Sequence, residues 1–414
     1  MRASLKFLLF SFAVALLAVA PARTAGAGQQ AAPPETKVDA SNGGVTMSSG
    51  VNSLTIGARA QFRWTVDKRE GVDADKLGSG VGISDGPLSQ FDIPRLRIGL
   101  SGGAFRPWMK YSFQFDISRT AGESASKIKD AILEIRPTGK TYRIQAGQFK
   151  VPFSLQQITS SGRQQFVDRS ITDSKFAPAR DMGVVFSGTT TSRKVGYEAG
   201  VFNGAGESNR QTRESPLWVA RVIVDPMGPY GLVEGSSDAG DKPVLHLGVA
   251  ARGGAQIRGR TTAGVVQDAD NQTAVDVEFA YKAPRFYSTA EAYWMTDERH
   301  NPVALPDLKS MGFHAQAGFM VVPRRAEVAI RFAQIEGDTS VDDAAVSEVR
   351  GAFGYYWRAH NLKVTADIGQ VSYDAGFSSL SARARAGLPA PGTRLVTGQT
   401  LADTEFRVQF QLAF

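Results

Sequence analysis

Residues 406–414 read FRVQFQLAF, with Phe406, Val408, Phe410, Leu412 and Phe414 alternating against Arg407, Gln409 and Gln411. A period of two is that of a β-strand with one apolar and one polar face. LTIGARAQFRWTV (54–66) repeats the pattern, with Leu54, Ile56, Phe62 and Trp64 on one face and Arg59, Gln61, Arg63 and Thr65 on the other. FDIPRLRIGLSG (91–102) sets Leu96, Ile98 and Leu100 against Arg95 and Arg97. WMKYSFQFDIS (108–118) sets Met109, Tyr111, Phe113 and Phe115 against Lys110, Gln114 and Asp116. Continued through YRIQAGQF, VGYEAGVF, AVDVEFAYK and MGFHAQAGFMVV, the alternation predicts about sixteen strands of about 9–13 residues, the length a tilted strand needs to cross a bilayer. No helix-period segment of useful length interrupts them.

The connections alternate in length. Those at 105–107, 137–140, 283–284, 323–324 and 360–361 are short, and those at 67–90, 150–179, 254–273 and 375–402 are long. A soluble sandwich has no reason to keep its long loops at one end. An antiparallel transmembrane β-barrel does, with tight periplasmic turns and long extracellular loops. Closure also pairs the last strand with the first, because lipid cannot satisfy an open backbone edge. The connection 225–243 breaks the rule: it falls on the short-turn side yet is long.

Composition adds the compartment. Residues 1–27, MRASLKFLLFSFAVALLAVAPARTAGA, combine Arg2 and Lys6 with an apolar run and small residues, the pattern of a secretory signal cleaved after Ala22 or Ala27. Residues 28–50 are polar and proline-containing, and read as a flexible periplasmic lead-in to a barrel domain at 51–414. Cysteine is absent, so disulfides and thiolate metal sites are excluded. The formal net charge of +7 loses Arg2 and Lys6 with the signal, and the mild remainder points to no nucleic-acid partner.

Function then lies on the polar face, because a barrel of about sixteen strands encloses a water-filled channel. Arg59 and Arg63 face the lumen on the first strand, and Arg95 and Arg97 on its neighbour. Four guanidinium groups on one patch of wall repel one another, and a passing anion relieves that repulsion. Lys110 joins the inward set. Inward acids, including Asp116, Asp130, Glu134, Glu198, Asp276, Glu278 and Asp367, leave open a balanced lumen and a general, weakly selective pore. The 150–179 loop is long and carries Phe153, Leu155, Ile158 and Phe166, so it is expected to fold against something. If it enters the lumen it narrows the pore, and Ser160, Ser161, Arg163 and Arg169 become donors to an oxyanion.

A barrel hydrolase would need a nucleophile with a histidine partner. The four histidines, His246, His300, His314 and His360, show no serine and carboxylate in such an arrangement, and no His–His metal spacing or cofactor motif is present.

FDIPRLRIGLSG, KDAILEI, GQFKVPFSL, VDRS, ARDMGVVFSG and GVFNG occur in the order found in the phosphate-selective porin O and P family, which the chain resembles most specifically over about residues 91–204. The resemblance implies a trimeric, sixteen-stranded outer-membrane channel in which basic residues draw small inorganic anions to a constriction formed partly by the third extracellular loop. Carried over by motif, Arg95 and Arg169 correspond to constriction arginines, Asp130 to a pore-lining aspartate, and Ser160 and Ser161 to serines that contact the anion. Two positions depart from the family. Gln156 and Gln157 stand where an anion-binding lysine is expected, and the arginine expected beside Arg95 is Pro94 or Leu96. The reading is a passive anion channel, for phosphate or related oxyanions, in outer-membrane lipid, with a general diffusion pore as the alternative.

Overall fold

The computed structural model describes residues 35–41, 43–69, 88–118, 127–209, 216–260, 266–301, 306–389, 391 and 398–414. The expected signal at 1–27 and the start of the lead-in lie outside the described residues. Two short strands, β1 (Lys37–Asp39) and β2 (Val45–Ser49), precede the wall. The wall consists of β3 (Asn52–Arg69), β4 (Leu88–Gly103), β5 (Met109–Asp116), β6 (Lys127–Ile135), β7 (Tyr142–Lys150), β8 (Arg180–Thr189), β9 (Val195–Phe202), β10 (Leu217–Val224), β11 (Val244–Arg260), β12 (Val266–Lys282), β13 (Phe286–Asn301), β14 (Leu308–Val322), β15 (Ala326–Glu336), β16 (Ala345–Arg358), β17 (Leu362–Tyr373) and β18 (Leu401–Ala413). Each wall strand pairs antiparallel with its sequence neighbours, and β18 pairs with β3 from Ala413↔Arg59 to Asp403↔Arg69. The expected sixteen-stranded closed barrel is therefore the fold.

The polarity of the wall is inverted relative to a soluble protein. Along β14, Ser310, His314, Gln316 and Met320 are buried, whereas Met311, Phe313, Phe319 and Val321 are exposed. The exposed face is the one that meets hydrocarbon, and the backbone groups between are satisfied by the closed ladder. Trp218, Trp294, Trp357 and Phe414 also point outward, where amphipathic rings suit the headgroup region.

Two expectations of length are corrected. β3 has 18 residues and β11 and β12 have 17 each, longer than the alternation indicated. Residues 254–260 and 266–273, expected in a loop, continue the ladder. Beyond the bilayer the outer face no longer has to be apolar, so VQDADNQT loses its alternation while its backbone pairing persists. The lead-in also differs: β2 pairs with the foot of β3, Val45 opposite Ile56. That stretch of β3 lies past the end of β18 and would otherwise be an open edge.

The connection between β7 and β8 enters the barrel. It carries two single-turn helices, α1 (Leu155–Ile158) and α2 (Thr172–Phe176). Phe176 stacks on Tyr293 with ring centroids 5.0 Å apart, and Phe166 lies 4.4 Å beneath the Arg331 guanidinium. Val151, Phe153, Ile171 and Phe176 join Leu217, Met295, Ile335 and Val346 in one buried apolar cluster. The interior on the β11–β16 side is thus filled by the loop.

The long connection 225–243 also turns inward. Tyr230 and Tyr287 share a hydroxyl hydrogen bond of 3.0 Å, Lys282 pairs with Asp238 at 3.1 Å, and Glu234 N–H donates to the Arg163 carbonyl at 2.9 Å. His360 Nε2 donates to the Glu234 carbonyl at 2.9 Å. Its extra length builds a shelf beneath the tip of the inward loop.

Candidate functional site: a basic cavity beside the inward loop

A cavity of about 820 Å³ runs between the inward loop and the wall from β4 to β11. Its basic lining side chains are Arg97, Arg136, Lys140, Arg143, Lys150, Arg180, Arg193 and Arg221, and its carboxylates are Asp130, Glu198 and Asp225. Much of this positive charge is paired: Arg221 bonds Glu198 and Glu278, and Arg136 and Arg143 share Glu134. Arg180 forks onto Asp130 at 2.8 and 3.2 Å, and Arg97 pairs with Asp116 at 2.8 Å. Lys150 has no carboxylate partner among the described residues. Its Nζ donates to the carbonyls of Ile158 and Thr159 at 3.3 and 2.8 Å. Those carbonyls lead directly to Ser160, which lines the same cavity.

The inward loop is held by charge. Asp168 accepts Arg63 and Arg95 at 2.8 Å each and Arg407 at 3.4 Å. Burial pushes the Asp168 carboxyl up, but Arg95, Arg63 and Arg407 together hold it well below the usual carboxylate range. Arg59 donates from Nη1 to Ser160 Oγ at 2.9 Å and from Nη2 to Ser161 Oγ at 3.2 Å. On the far wall Gln156 N–H donates to Glu291 at 2.8 Å, and Ser154 shares a hydrogen bond of 3.1 Å with the Tyr293 hydroxyl.

The residues singled out from the sequence divide into three groups. Arg97, Asp130 and Ser160 line the cavity. Arg59, Arg63, Arg95, Ser161 and Arg169 secure the loop, with Arg169 donating to the carbonyls of Gln156, Gln157 and Thr159. Lys110 and Arg163 belong to neither: Lys110 sits exposed at the turn-side end of β5, and Arg163 at the loop tip, where its carbonyl meets the 225–243 shelf. Lys150, Arg180 and Asp168 were not singled out, although they lie in GQFKVPFSL, ARDMGVVFSG and VDRS. Gln156, one of the two positions where the family's lysine is expected, is buried and donates a side-chain bond of 3.4 Å toward Glu234.

A sealed cylinder that is apolar outside, polar inside and crossed by a loop-narrowed cavity defines a transmembrane channel. The chain belongs to the phosphate-selective porin O and P family, whose model matches residues 84–378. It is an outer-membrane porin that passes small solutes by diffusion. Among solved structures it is similar to an anion-selective porin from Comamonas acidovorans, at 12% identity over 87% of this chain and 100% of that chain, TM-score 0.56. It is also similar to the outer membrane channel DcaP of Acinetobacter baumannii, at 12% identity over 87% and 97%, TM-score 0.53. OmpT of Vibrio cholerae matches at 12% identity over 88% and 99%, TM-score 0.52. At such identities the likeness is one of fold. The sequence matches no curated protein.

Proposed function

We propose that the channel is selective for small anions, phosphate and related oxyanions among them. The observation that carries this reading is the cavity lining, eight basic side chains against three carboxylates. Arg97, Lys150, Arg180 and Ser160 line this cavity together. An anion is drawn in by the summed field, exchanges part of its hydration for guanidinium, ammonium and hydroxyl donors, and leaves because screening and multiple equivalent donors keep each stop weak. Lys150 supports the ligand reading at the point where the family's lysine is missing, since its ammonium reaches the loop carbonyls next to Ser160. The similar fold of the anion-selective porin from Comamonas acidovorans is consistent with this reading.

The pairing of Arg97 with Asp116 and Arg180 with Asp130 favours a second reading, a general pore with weak preference. Reversal potential in a planar bilayer under a potassium chloride gradient separates the two. A potential of the sign set by chloride, together with block of chloride current by phosphate, supports the first; a potential near zero supports the second, and cation preference overturns the first. Cleavage of residues 1–27 on export and assembly as a homotrimer belong to the same proposal. N-terminal sequencing of the membrane form and light scattering in detergent measure them.

A further inference from the structure

Past Arg221 and His246, the inner wall carries a row of direct cross-strand partners: Gly248 on β11, Glu278 on β12, Glu291 on β13 and His314 on β14. In the next inward row Asp276 lies between Ala250 and Tyr293. Asp276, Glu278, Glu291 and His314 are all at most 2% exposed. One oxygen from each of the three carboxylates lies within 4.8 Å of the others.

Their compensation is uneven. Glu278 receives Arg221 at 2.6 Å and His246 Nε2 at 3.1 Å. Glu291 receives only neutral donors, Gln156 N–H at 2.8 Å and the Tyr293 hydroxyl at 3.0 Å. Neither oxygen of Asp276 receives an N–H or hydroxyl donor among the described residues, and its carboxyl lies within hydrogen-bond reach of Glu278. A separate observation comes from a different residue type. His314 shares its Nδ1 with the Thr172 hydroxyl at 3.1 Å, while its Nε2 has no hydrogen-bond partner and lies 3.5 Å from Glu291 Oε1. If Nδ1 carries the proton toward Thr172, the Nε2 lone pair faces Glu291. Like charges opposite each other in a sheet are unfavourable, and a buried charge without a counter-charge is more so.

We propose that Asp276, Glu278 and Glu291 bind one divalent cation, with the unpartnered His314 Nε2 lying against Glu291 at its edge. Three carboxylate oxygens suit a hard ion such as Ca²⁺ or Mn²⁺ rather than a soft one. The ion lies behind both helices of the inward loop. Glu291 holds the first residues of α1 through Gln156, Tyr293 holds Ser154, and His314 holds α2 through Thr172. The cation thus fixes the loop to the wall on the side away from the cavity. Asp276 and Glu278 stand two apart on β12, and only the pairing of β12 with β13 brings Glu291 to them.

The test uses the full-length porin purified in detergent, stripped with a chelator and titrated with Ca²⁺ or Mn²⁺. Calorimetry, with metal analysis after gel filtration, should find about one ion per chain, and Mn²⁺ spin resonance should show a bound spectrum. D276N keeps the side chain's shape and should weaken binding at least about tenfold, as should H314Q. In bilayers, chelator added to the wild type should make the open-channel current noisier, and Ca²⁺ should restore it. A stripped wild type that takes up no ion overturns the proposal without reference to any variant; infrared absorption of a protonated carboxyl in that sample would identify a shared proton instead. Uptake unchanged in D276N, E291Q and H314Q would equally overturn it, as binding elsewhere.

Discussion

Arg59 reaches across the lumen to Ser160, Nη1 to Oγ at 2.9 Å, and has no carboxylate within ion-pair distance among the described residues. It stands directly opposite Arg97 in the sheet. A serine hydroxyl accepts a hydrogen bond but returns no charge, so this cation's field is left for whatever enters the cavity that Ser160 lines. Replacing Arg59 by Gln should lower the chloride-to-potassium permeability ratio by about fivefold, the effect of about 1 kcal/mol from one charge at contact distance in water. Reversal potential in a salt gradient measures it; an unchanged potential would mean that Arg59 only holds the loop.

Lys150 and Arg180 lie at the two ends of the inward loop, and both line the cavity. Lys150→Gln should weaken phosphate block of chloride current, and Arg180→Gln should lower anion conductance. Asp130→Asn should act in the opposite direction, because it releases the Arg180 guanidinium that it now grips at 2.8 Å. Opposite signs from the two members of one ion pair distinguish an electrostatic effect from simple misfolding, which would push both the same way.

Asp168 is the loop's anchor to Arg63, Arg95 and Arg407. Its carboxyl is held below the unfolded value, so its stabilisation is present at any pH above about 4 and is lost only as pH falls through the depressed folded value. Loop anchoring by this group should therefore be flat from pH 8 to about pH 4 and fail only in stronger acid. Asp168→Asn should cost about 2 kcal/mol at neutral pH and remove that acid transition, as read by thermal melting across pH.

The 225–243 shelf meets the loop tip through Glu234 and Arg163. Shortening it to a tight turn should enlarge single-channel conductance and leave strand content by circular dichroism unchanged. Conductance equal to the wild type would mean that the shelf does not bound the pore.

How much of this was readable in advance depended on whether a residue's direction follows from a local period. Arg59, Arg63, Arg95 and Arg97 were readable as lumen-facing because each sits inside an unbroken alternation. Lys150 and Arg180 sit at strand ends, where direction depends on how the intervening loop returns, so their role was not. Asp168 adjoins Arg169 in sequence, yet only tertiary folding brings it to arginines of β3, β4 and β18 while turning Arg169 back onto the loop's own carbonyls. The length of β11 and β12 was hidden for another reason: above the bilayer both faces are wet, and hydropathy stops marking a strand that backbone hydrogen bonds still continue. The shelf at 225–243 was visible only as a length anomaly, because its function is in contacts made 44 to 126 residues away along the chain.

The seam between β3 and β18 has a consequence for biogenesis. Residues 59–69 have their outer ladder partners only at 403–413, so no partial chain emerging in order can seal the cylinder. Until those late residues arrive, the early edge stays adhesive toward any other strand, which makes the nascent polypeptide dependent on escort through the periplasm and places insertion after translation rather than alongside it.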